Sequence, residues 1–488
     1  MEPRKKIGYV LGPLFFLAVY FSPLLKENPK AHTLFAIFVL IVVWWVTECI
    51  PIPITALLVP VFITVFRVAP VKDAFAPFAN PIIMLFLGSF ILAKAMSVHS
   101  LDRKLAHSIL SLKSIGHKRT RILFAFGLTT IFLSMWISNT ATTAMMYPIA
   151  LGILSTFNSG KKENAFSSFG LILFLMTAYS ASVGGIGTPI GSPPNLIAIG
   201  MLEKLADYRM TFFQWMVIGF LILIPMFLAL YLFMRFRMRK EKLSLQTSKN
   251  IPLPSQDVPR GLTRPQKNVL IAFSVTVSLW IIPGLASLIL GKEAPLSLWL
   301  RAHFPEAVAA IIGAALLFLL PVNLKQGIFT ISLKEALRID WGTLLLFGGG
   351  LSLGFQMFQT GLADSIGRFF ITPGTTASLS LITLLCITLS VFLTEVTSNT
   401  ASANMIIPII IAISNAASIN PLPPVLGSTI GCSFAFMLPV ATPPNAIVYG
   451  SGLVPLTKMI RYGFWLNIIG ILIIWIGIMF IAPWLGLF

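Results

Sequence analysis

Long apolar stretches separated by short polar segments run through the whole chain. Each is a continuous run, and many approach the roughly 20 residues that a helix needs to cross a hydrocarbon core of about 30 Å. Continuous runs favour helices over a closed β-barrel, whose strands alternate apolar and polar residues. The pattern predicts an all-α polytopic membrane protein, with candidate full spans at 7–24, 33–49, 52–66, 81–96, 168–201 (interrupted), 212–234, 268–290, 307–320, 341–361, 425–452 (interrupted) and 464–488.

Two further segments, 121–157 and 376–419, each contain two helical stretches broken by polar residues, and we interpret them as re-entrant hairpins. Hairpins that enter and leave on one side give about eleven transmembrane crossings. Lys and Arg near the ends of spans accumulate on the cytoplasmic side. A cytoplasmic N-terminus and an outer C-terminus satisfy this rule, because the strongly basic segments then all lie inside: 103–121, 161–162, 235–242, 325–338 and 458–461.

Composition agrees with a multi-pass protein of a bacterial-type cytoplasmic (inner) membrane. The chain has 35 Lys and Arg against 16 Asp and Glu, a formal net charge of +19. These cations sit beside apolar runs and form no basic face for a phosphate backbone, so we expect lipid and no nucleic acid as a partner. Cys49, Cys386 and Cys432 lie far apart without metal-ligand spacing, and we expect buried free thiols.

A polar interval near the middle divides the chain into halves that resemble each other, as in many carriers built from inverted repeats. The predicted segments are an N-terminal first helix (1–32), a first inverted repeat (33–243, with hairpin 121–157 and broken helix 168–204), a cytoplasmic linker (244–266) and a second inverted repeat (267–488, with hairpin 376–419 and broken helix 425–452).

The halves match at their least ordinary residues. Ser-Asn-Thr-Ala at 138–141, followed by Pro148, recurs at 398–401, followed by Pro408. A single Ser-Asn-Thr in an apolar helix would most simply bond backbone carbonyls or neighbouring helices. Two copies in one frame, each followed by a second repeated motif, favour a binding site instead.

The second repeated motif is Pro-Pro-Asn, at 193–195 and again at 443–445. Two prolines block helix continuation and remove amide donors, so each motif predicts a broken helix. Irregular backbone at membrane depth is tolerated where it lines a cavity. Freed carbonyls and neutral Ser, Thr and Asn oxygens suit a sodium ion, while helix N-termini suit an anion such as a carboxylate.

At these residues the sequence resembles the divalent anion/sodium symporter family within the ion transporter superfamily, and specifically its sodium-coupled dicarboxylate branch. The resemblance covers nearly the whole chain, and it includes Trp-Trp-Val-Thr-Glu-Cys-Ile-Pro at 44–51 and Asp-Trp-Gly-Thr at 340–343. It implies a homodimer of eleven-span protomers, each with a scaffold domain and a moving transport domain that works as an elevator. It also implies symport of Na+ with C4-dicarboxylates such as succinate, malate and fumarate.

The resemblance further implies the site residues, motif by motif. The substrate carboxylates would be bound by Ser138, Asn139, Thr140, Ser192, Pro193, Ser398, Asn399, Thr400, Thr442 and Pro443. The first sodium would be bound by Ser134, Ser138, Asn139 and Gly191, and the second by Thr394, Thr397, Asn399 and Ala441. Neither motif contains Lys or Arg, so helix ends and bound sodium would have to attract the dianion.

Several alternatives remain open. The chain could be a sodium-independent dicarboxylate or 2-oxoglutarate exchanger, or a sodium-coupled citrate or sulfate transporter, since such relatives share most motif residues. An intramembrane enzyme would need a base near Ser138 or Ser398, and neither hairpin has a His or Lys near its tip. A channel with paired hairpins along a pore is a third class. Glu395 has Met135 as its counterpart in the other repeat, and we expect it to be structural.

Overall fold

The computed structural model describes residues 3–25, 27–111, 118–157, 168–239, 261–370 and 378–484. Most of the predicted linker (244–266) and the basic pair 161–162 lie outside the described residues. The helices are α1 (Pro3–Tyr20), α2 (Pro29–Thr47), α3 (Ile52–Val65), α4 (Val71–Phe75), α5 (Pro81–Val98), α6 (Leu101–Leu110), α7 (Arg119–Ser134), α8 (Asn139–Phe157), α9 (Ser168–Gly184), α10 (Pro193–Leu205), α11 (Phe212–Arg239), α12 (Arg264–Ile289), α13 (Pro295–His303), α14 (Glu306–Leu319), α15 (Leu333–Ala336), α16 (Trp341–Gln359), α17 (Leu362–Phe370), α18 (Leu379–Val396), α19 (Asn399–Ala416), α20 (Leu422–Gly431), α21 (Pro443–Tyr449), α22 (Leu456–Ile476) and α23 (Ala482–Trp484).

The rest of the regular structure is minor. Strands β1 (Pro321–Asn323) and β2 (Ile328–Phe329) form a short antiparallel pair, in which Pro321 lies opposite Phe329. The turns Ala76–Ala79 and Leu324–Gln326 are 3₁₀ helices, and Gly477–Ile481 is a π-helical turn. The prediction of an all-α fold is confirmed.

Among the described residues, seven helices are long and apolar enough to cross a membrane, or eight if α13 and α14, which meet at 58°, form one span. Helices α18 and α19 are each long enough to cross by themselves. The count of eleven crossings and the re-entrant course of the hairpins therefore stay predictions.

The other predicted spans begin and end within about five residues of the observed helices, and the largest difference is at the last span. The sequence pattern starts this span at residue 464, whereas α22 begins at Leu456. Lys458 and Arg461 lower the local hydropathy, but both residues are good helix formers, so the helix extends past them. The three cysteines are buried free thiols, as expected.

Two close helix crossings each contain a glycine, one in each half of the chain. A Cβ atom on Gly88 of α5 would lie 2.5 Å from the carbonyl oxygen of Ala310 on α14. A Cβ atom on Gly349 of α16 would overlap the carbonyl oxygen of Ala56 on α3. Small residues let membrane helices approach this closely. These crossings fix α5 and α16 beside the cavity described next.

Candidate functional site: a cavity between two hairpin tips

Four helices begin at the wall of one cavity of about 550 Å³. They are α8 and α19, which start at the two Ser-Asn-Thr motifs, and α10 and α21, which start at the two Pro-Pro-Asn motifs. A helix N-terminus presents free N–H groups and a partial positive charge, and it favours anions. The cavity therefore gathers positive helix ends without a Lys or Arg in either motif.

The two Ser-Asn-Thr motifs cap their helices in the same way. Ser138 Oγ accepts a hydrogen bond from the Ala141 N–H at 3.3 Å, and Ser398 Oγ accepts one from the Ala401 N–H at 3.2 Å. Serine is among the preferred N-cap residues because its oxygen satisfies a free amide of the first turn. The serine caps leave the following Asn and Thr side chains at the cavity wall.

The first hairpin forms a cluster of oxygen atoms beside the cavity. Ser134 Oγ lies 2.7 Å from Asn139 Oδ1 and 2.8 Å from the Ala181 carbonyl oxygen. A Cβ atom on Gly185 would lie 2.6 Å from Asn139 Oδ1 and 3.1 Å from the Gly191 carbonyl oxygen. Hydroxyl, amide and carbonyl oxygens brought together in this way suit a hard monovalent cation.

The second hairpin repeats the arrangement. Thr394 Oγ1 lies 2.7 Å from Asn399 Oδ1 and 2.9 Å from the Cys432 carbonyl oxygen. Ser134 and Thr394 each stand five residues before the motif asparagine, and both side chains are fully buried. The sequence repeat thus corresponds to a repeat of hydrogen-bond geometry.

The asparagine of each Pro-Pro-Asn motif stabilises the interruption of its broken helix. Asn195 Nδ2 donates to the carbonyl oxygens of Gly185 and Thr188, both at 2.8 Å. Asn445 Nδ2 donates to those of Ala435 at 2.8 Å and Leu438 at 3.0 Å. Each asparagine satisfies two carbonyls that the interrupted helix leaves free. This is the physical reason for an asparagine after the two prolines.

All ten predicted substrate-binding residues line the cavity: Ser138, Asn139, Thr140, Ser192, Pro193, Ser398, Asn399, Thr400, Thr442 and Pro443. Gly191 and Ala441 line it too. The Ser192 and Ser433 hydroxyls lie 3.2 Å apart and join the two repeats. Which of these residues bind substrate or sodium stays a prediction.

Three predicted sodium ligands lie behind the cavity wall. Ser134 and Thr394 belong to the oxygen clusters described above. The Thr397 hydroxyl instead donates to the carbonyl oxygen of Trp45 on α2, at 3.5 Å. In this conformation the Thr397 side chain links the second hairpin to α2.

Glu395 stabilises the second broken helix. Its carboxylate accepts hydrogen bonds from the backbone N–H groups of Phe436 (2.8 Å), Met437 (2.9 Å) and Leu438 (3.1 Å). Asn467 Nδ2 donates a fourth, at 2.7 Å. These four donors satisfy a carboxylate that is only 3% exposed. Through these contacts Glu395 joins the second hairpin to the interruption of the second broken helix and to α22.

Four charged residues of the cavity wall were not among the predicted site residues: Lys94, Asp102, Arg338 and Asp340. Lys94 lies within the apolar helix α5, and an ionisable residue inside a span is itself a signal of function. Asp340 belongs to the Asp-Trp-Gly-Thr motif at 340–343 that carries part of the family resemblance, and Arg338 to the basic segment 325–338, but neither signal predicts that these residues line the cavity.

Residues 5–488, which include the whole cavity, match the family model described as the sodium:sulfate symporter transmembrane region. The chain belongs to the sodium:sulfate symporter family. The predicted divalent anion/sodium symporter membership is thereby confirmed, and with it a transporter that has Na+ as its co-transported ion.

Curated relatives of this symporter family match over nearly their full length. The sodium-dependent dicarboxylate transporter SdcS of Staphylococcus saprophyticus is 35% identical over 98% of this chain and 91% of its own. SdcS of Staphylococcus aureus strain USA300 is 34% identical with the same coverage. A protein of Haemophilus influenzae named as an uncharacterized transporter is 37% identical over 94% of this chain and 93% of its own.

Two solved structures share the fold. MtrF of Neisseria gonorrhoeae has a TM-score of 0.55 at 16% identity, covering 85% of this chain and 84% of its own. The YdaH transporter of Alcanivorax borkumensis has a TM-score of 0.56 at 14% identity, covering 87% and 88%. Both likenesses support a polytopic transporter fold, and at such identity they carry nothing about substrate.

Proposed function

We propose that this chain is a sodium-coupled symporter of C4-dicarboxylates such as succinate, malate and fumarate. The observation that carries the proposal is the meeting of both hairpin tips at one cavity, with an oxygen cluster behind each asparagine and helix N-termini facing the space between. The names of the SdcS relatives support a dicarboxylate as cargo.

The shared asparagines give a physical route to coupling. Asn139 Oδ1 and Asn399 Oδ1 belong to the oxygen clusters, while both residues also line the cavity. Sodium bound at a cluster would hold the hairpin tip against the broken helix and complete the anion site. Sodium and substrate would then raise each other's affinity, because such coupling is reciprocal.

The cavity is proposed to open toward the cytoplasm. Among its lining residues Ser192 is buried, whereas Ser97, Arg338 and Asp340 are exposed, and we take these three exposed residues as its cytoplasmic mouth. Arg338 lies in one of the basic segments that the positive-inside rule assigns to the cytoplasm. A Thr442→Cys variant would test this, because impermeant thiol reagents should reach it from the cytoplasmic side in this conformation.

An elevator movement within a homodimer is the proposed mechanism. Few polar contacts join the end of the second hairpin to the N-terminal helices: the Arg4 side chain donates to the Val396 carbonyl oxygen at 2.9 Å, and Thr397 donates to that of Trp45. In an elevator cycle both contacts would break. The movement would be supported if impermeant thiol reagents reached Thr442→Cys from each side of the membrane, and if sodium changed the proportion reached from each side. A dimer mass in detergent would support the assembly.

The deciding experiment is uptake of labelled succinate into proteoliposomes under an inward sodium gradient, with potassium or choline as replacements. Sodium-dependent uptake that malate and fumarate compete would support the proposal. Counterflow indifferent to sodium would make the chain an exchanger. Citrate and sulfate are the next anions to test, since the family description names sulfate.

A further inference from the structure

Lys94 is a charged residue within a membrane-spanning helix, and it lines the cavity. It lies within the candidate span Val71–Val98, before the last turn of α5. Charges inside membrane spans are costly and usually face a partner or a watery path. In the described part of the chain, the Lys94 ammonium has neither a hydrogen bond nor an ion pair.

Snorkelling to the lipid surface does not explain Lys94. Gly88, on the same helix, packs against Ala310 of α14, whereas Lys94 lies at the cavity wall with Phe90 and Ala93. A snorkelling lysine would extend along a lipid-facing surface instead. The apolar neighbours also reduce screening, so a charge there acts more strongly than in water.

The acidic residues of the cavity wall are engaged elsewhere. Asp340 caps α16, accepting hydrogen bonds from the Thr343 N–H at 3.1 Å and from its hydroxyl. Asp102 accepts one from the Arg103 N–H at 2.8 Å and is 6% exposed. Arg338, the other cation of the wall, is exposed at the mouth. Lys94 therefore keeps its charge available to a mobile anion.

We propose that Lys94 is a further substrate-recognition residue: its ammonium binds a carboxylate of the dicarboxylate that passes between the cytoplasmic mouth and the hairpin tips. This inference rests on the proposed function and extends it to a residue outside both motifs. Since α5 belongs to neither hairpin, Lys94 acts on the anion only while the cavity faces this mouth. It also favours dianions over monoanions, because Coulomb attraction scales with the ligand charge.

The test compares the KM for succinate at each face, in inside-out and right-side-out membrane vesicles of the full-length protein. Lys94→Gln should raise the KM roughly 5- to 30-fold at the cytoplasmic face, as expected for loss of one charge-assisted contact, and should leave the outer KM unchanged. Lys94→Arg should restore the cytoplasmic KM. In Lys94→Gln, the monomethyl ester of succinate, a monoanion, should lose less of its ability to compete with labelled succinate than unlabelled succinate does.

The matched control is Lys267→Gln, which removes the same charge from an exposed position on α12 outside the cavity and should change neither KM. Ser97→Glu provides a second variant if Lys94→Gln fails to fold. Ser97 is exposed, lines the cavity and stands three residues after Lys94, so a glutamate there would neutralise the lysine and raise the cytoplasmic KM.

The outcomes separate the inference from the proposed function. Sodium-dependent succinate uptake by the unmodified protein, with an unchanged cytoplasmic KM in Lys94→Gln or Ser97→Glu, would overturn the role of Lys94 alone. An equal KM change at both faces that Lys94→Arg fails to restore would also overturn it, since it would indicate a structural role. Absence of sodium-dependent succinate uptake by the unmodified protein would overturn the proposed function and the inference together.

Discussion

The Glu395 carboxylate accepts a hydrogen bond of 2.7 Å from the side-chain amide of Asn467, and this contact joins the second hairpin to α22. The same carboxylate accepts three backbone N–H groups from Phe436 to Leu438, in the interruption before the second Pro-Pro-Asn motif. One buried side chain thus links three segments of the chain next to the second oxygen cluster.

Glu395→Gln should destabilise this region, because a glutamine can accept at one oxygen only and turns its amide toward N–H donors. We expect a loss of about 2 kcal/mol or more, the scale for hydrogen bonds to a charged group. Asn467→Ala removes one donor of four and should cost less. Thermal unfolding in detergent compares the midpoints of Glu395→Gln and Asn467→Ala, with Glu203→Gln, at an exposed position, as the control. Equal midpoints for Glu395→Gln and Glu203→Gln would contradict the prediction.

Asn139→Ala and Asn399→Ala should each lower succinate uptake and raise the sodium concentration for half-activation. Each removes an oxygen that lies 2.7 Å from a buried hydroxyl in the proposed sodium sites. We expect kcat/KM to fall about tenfold or more, as for loss of a hydrogen bond to a charged group. Uptake measured against sodium concentration checks this, and an unchanged sodium dependence in both variants would argue against shared ligands.

Gly191→Ala should impair uptake because the new methyl group has no space. Its Cβ atom would lie 2.6 Å from the backbone oxygen of Gly185, which cannot move aside without shifting the broken helix. Overpacking of this kind costs about 1–3 kcal/mol, and we expect uptake to fall at least tenfold. Gly477→Ala is the matched control, since its Cβ atom would meet only the Ile222 side chain at 3.2 Å. Wild-type uptake by Gly191→Ala would refute the close approach.

Asp102 should make stability depend on pH. Burial raises the pKa of the Asp102 carboxyl above its ordinary value of 3.8, in helix α6 outside the membrane-spanning segments. The Asp102 carboxyl then binds a proton more tightly in the folded state than in the unfolded state. Its contribution to the free energy of unfolding is therefore complete below pH 3.8 and is lost as the pH rises through the raised pKa.

Asp102→Asn, which stays neutral, should therefore have a higher thermal midpoint than the unmodified protein at neutral pH. The difference should shrink as the pH falls. Thermal unfolding as a function of pH measures it, with exposed Asp73→Asn as the control. If the difference in thermal midpoint grew toward acidic pH instead, the predicted direction of the pH dependence would be wrong.

The sequence by itself determined the helical membrane fold, the family and the two repeated motifs whose residues line the cavity. Hydropathy fixes helices because a membrane leaves no other partner for backbone groups, and two prolines in a row break a helix wherever they occur. The repetition of Ser-Asn-Thr and Pro-Pro-Asn therefore indicated paired binding elements before any coordinates. It could not count the crossings, because α18 and α19 are long enough either to span or to return.

Only the tertiary structure decided which other groups reach those elements. Ser134 and Thr394 meet carbonyls of Ala181 and Cys432, dozens of residues away, and Glu395 meets Asn467. Lys94 reaches the cavity because the packing of Gly88 on Ala310 sets the rotation of α5. Such contacts depend on the relative positions of helices, and a local pattern of apolar and polar residues carries no information about which distant backbone oxygen or empty space a side chain will face.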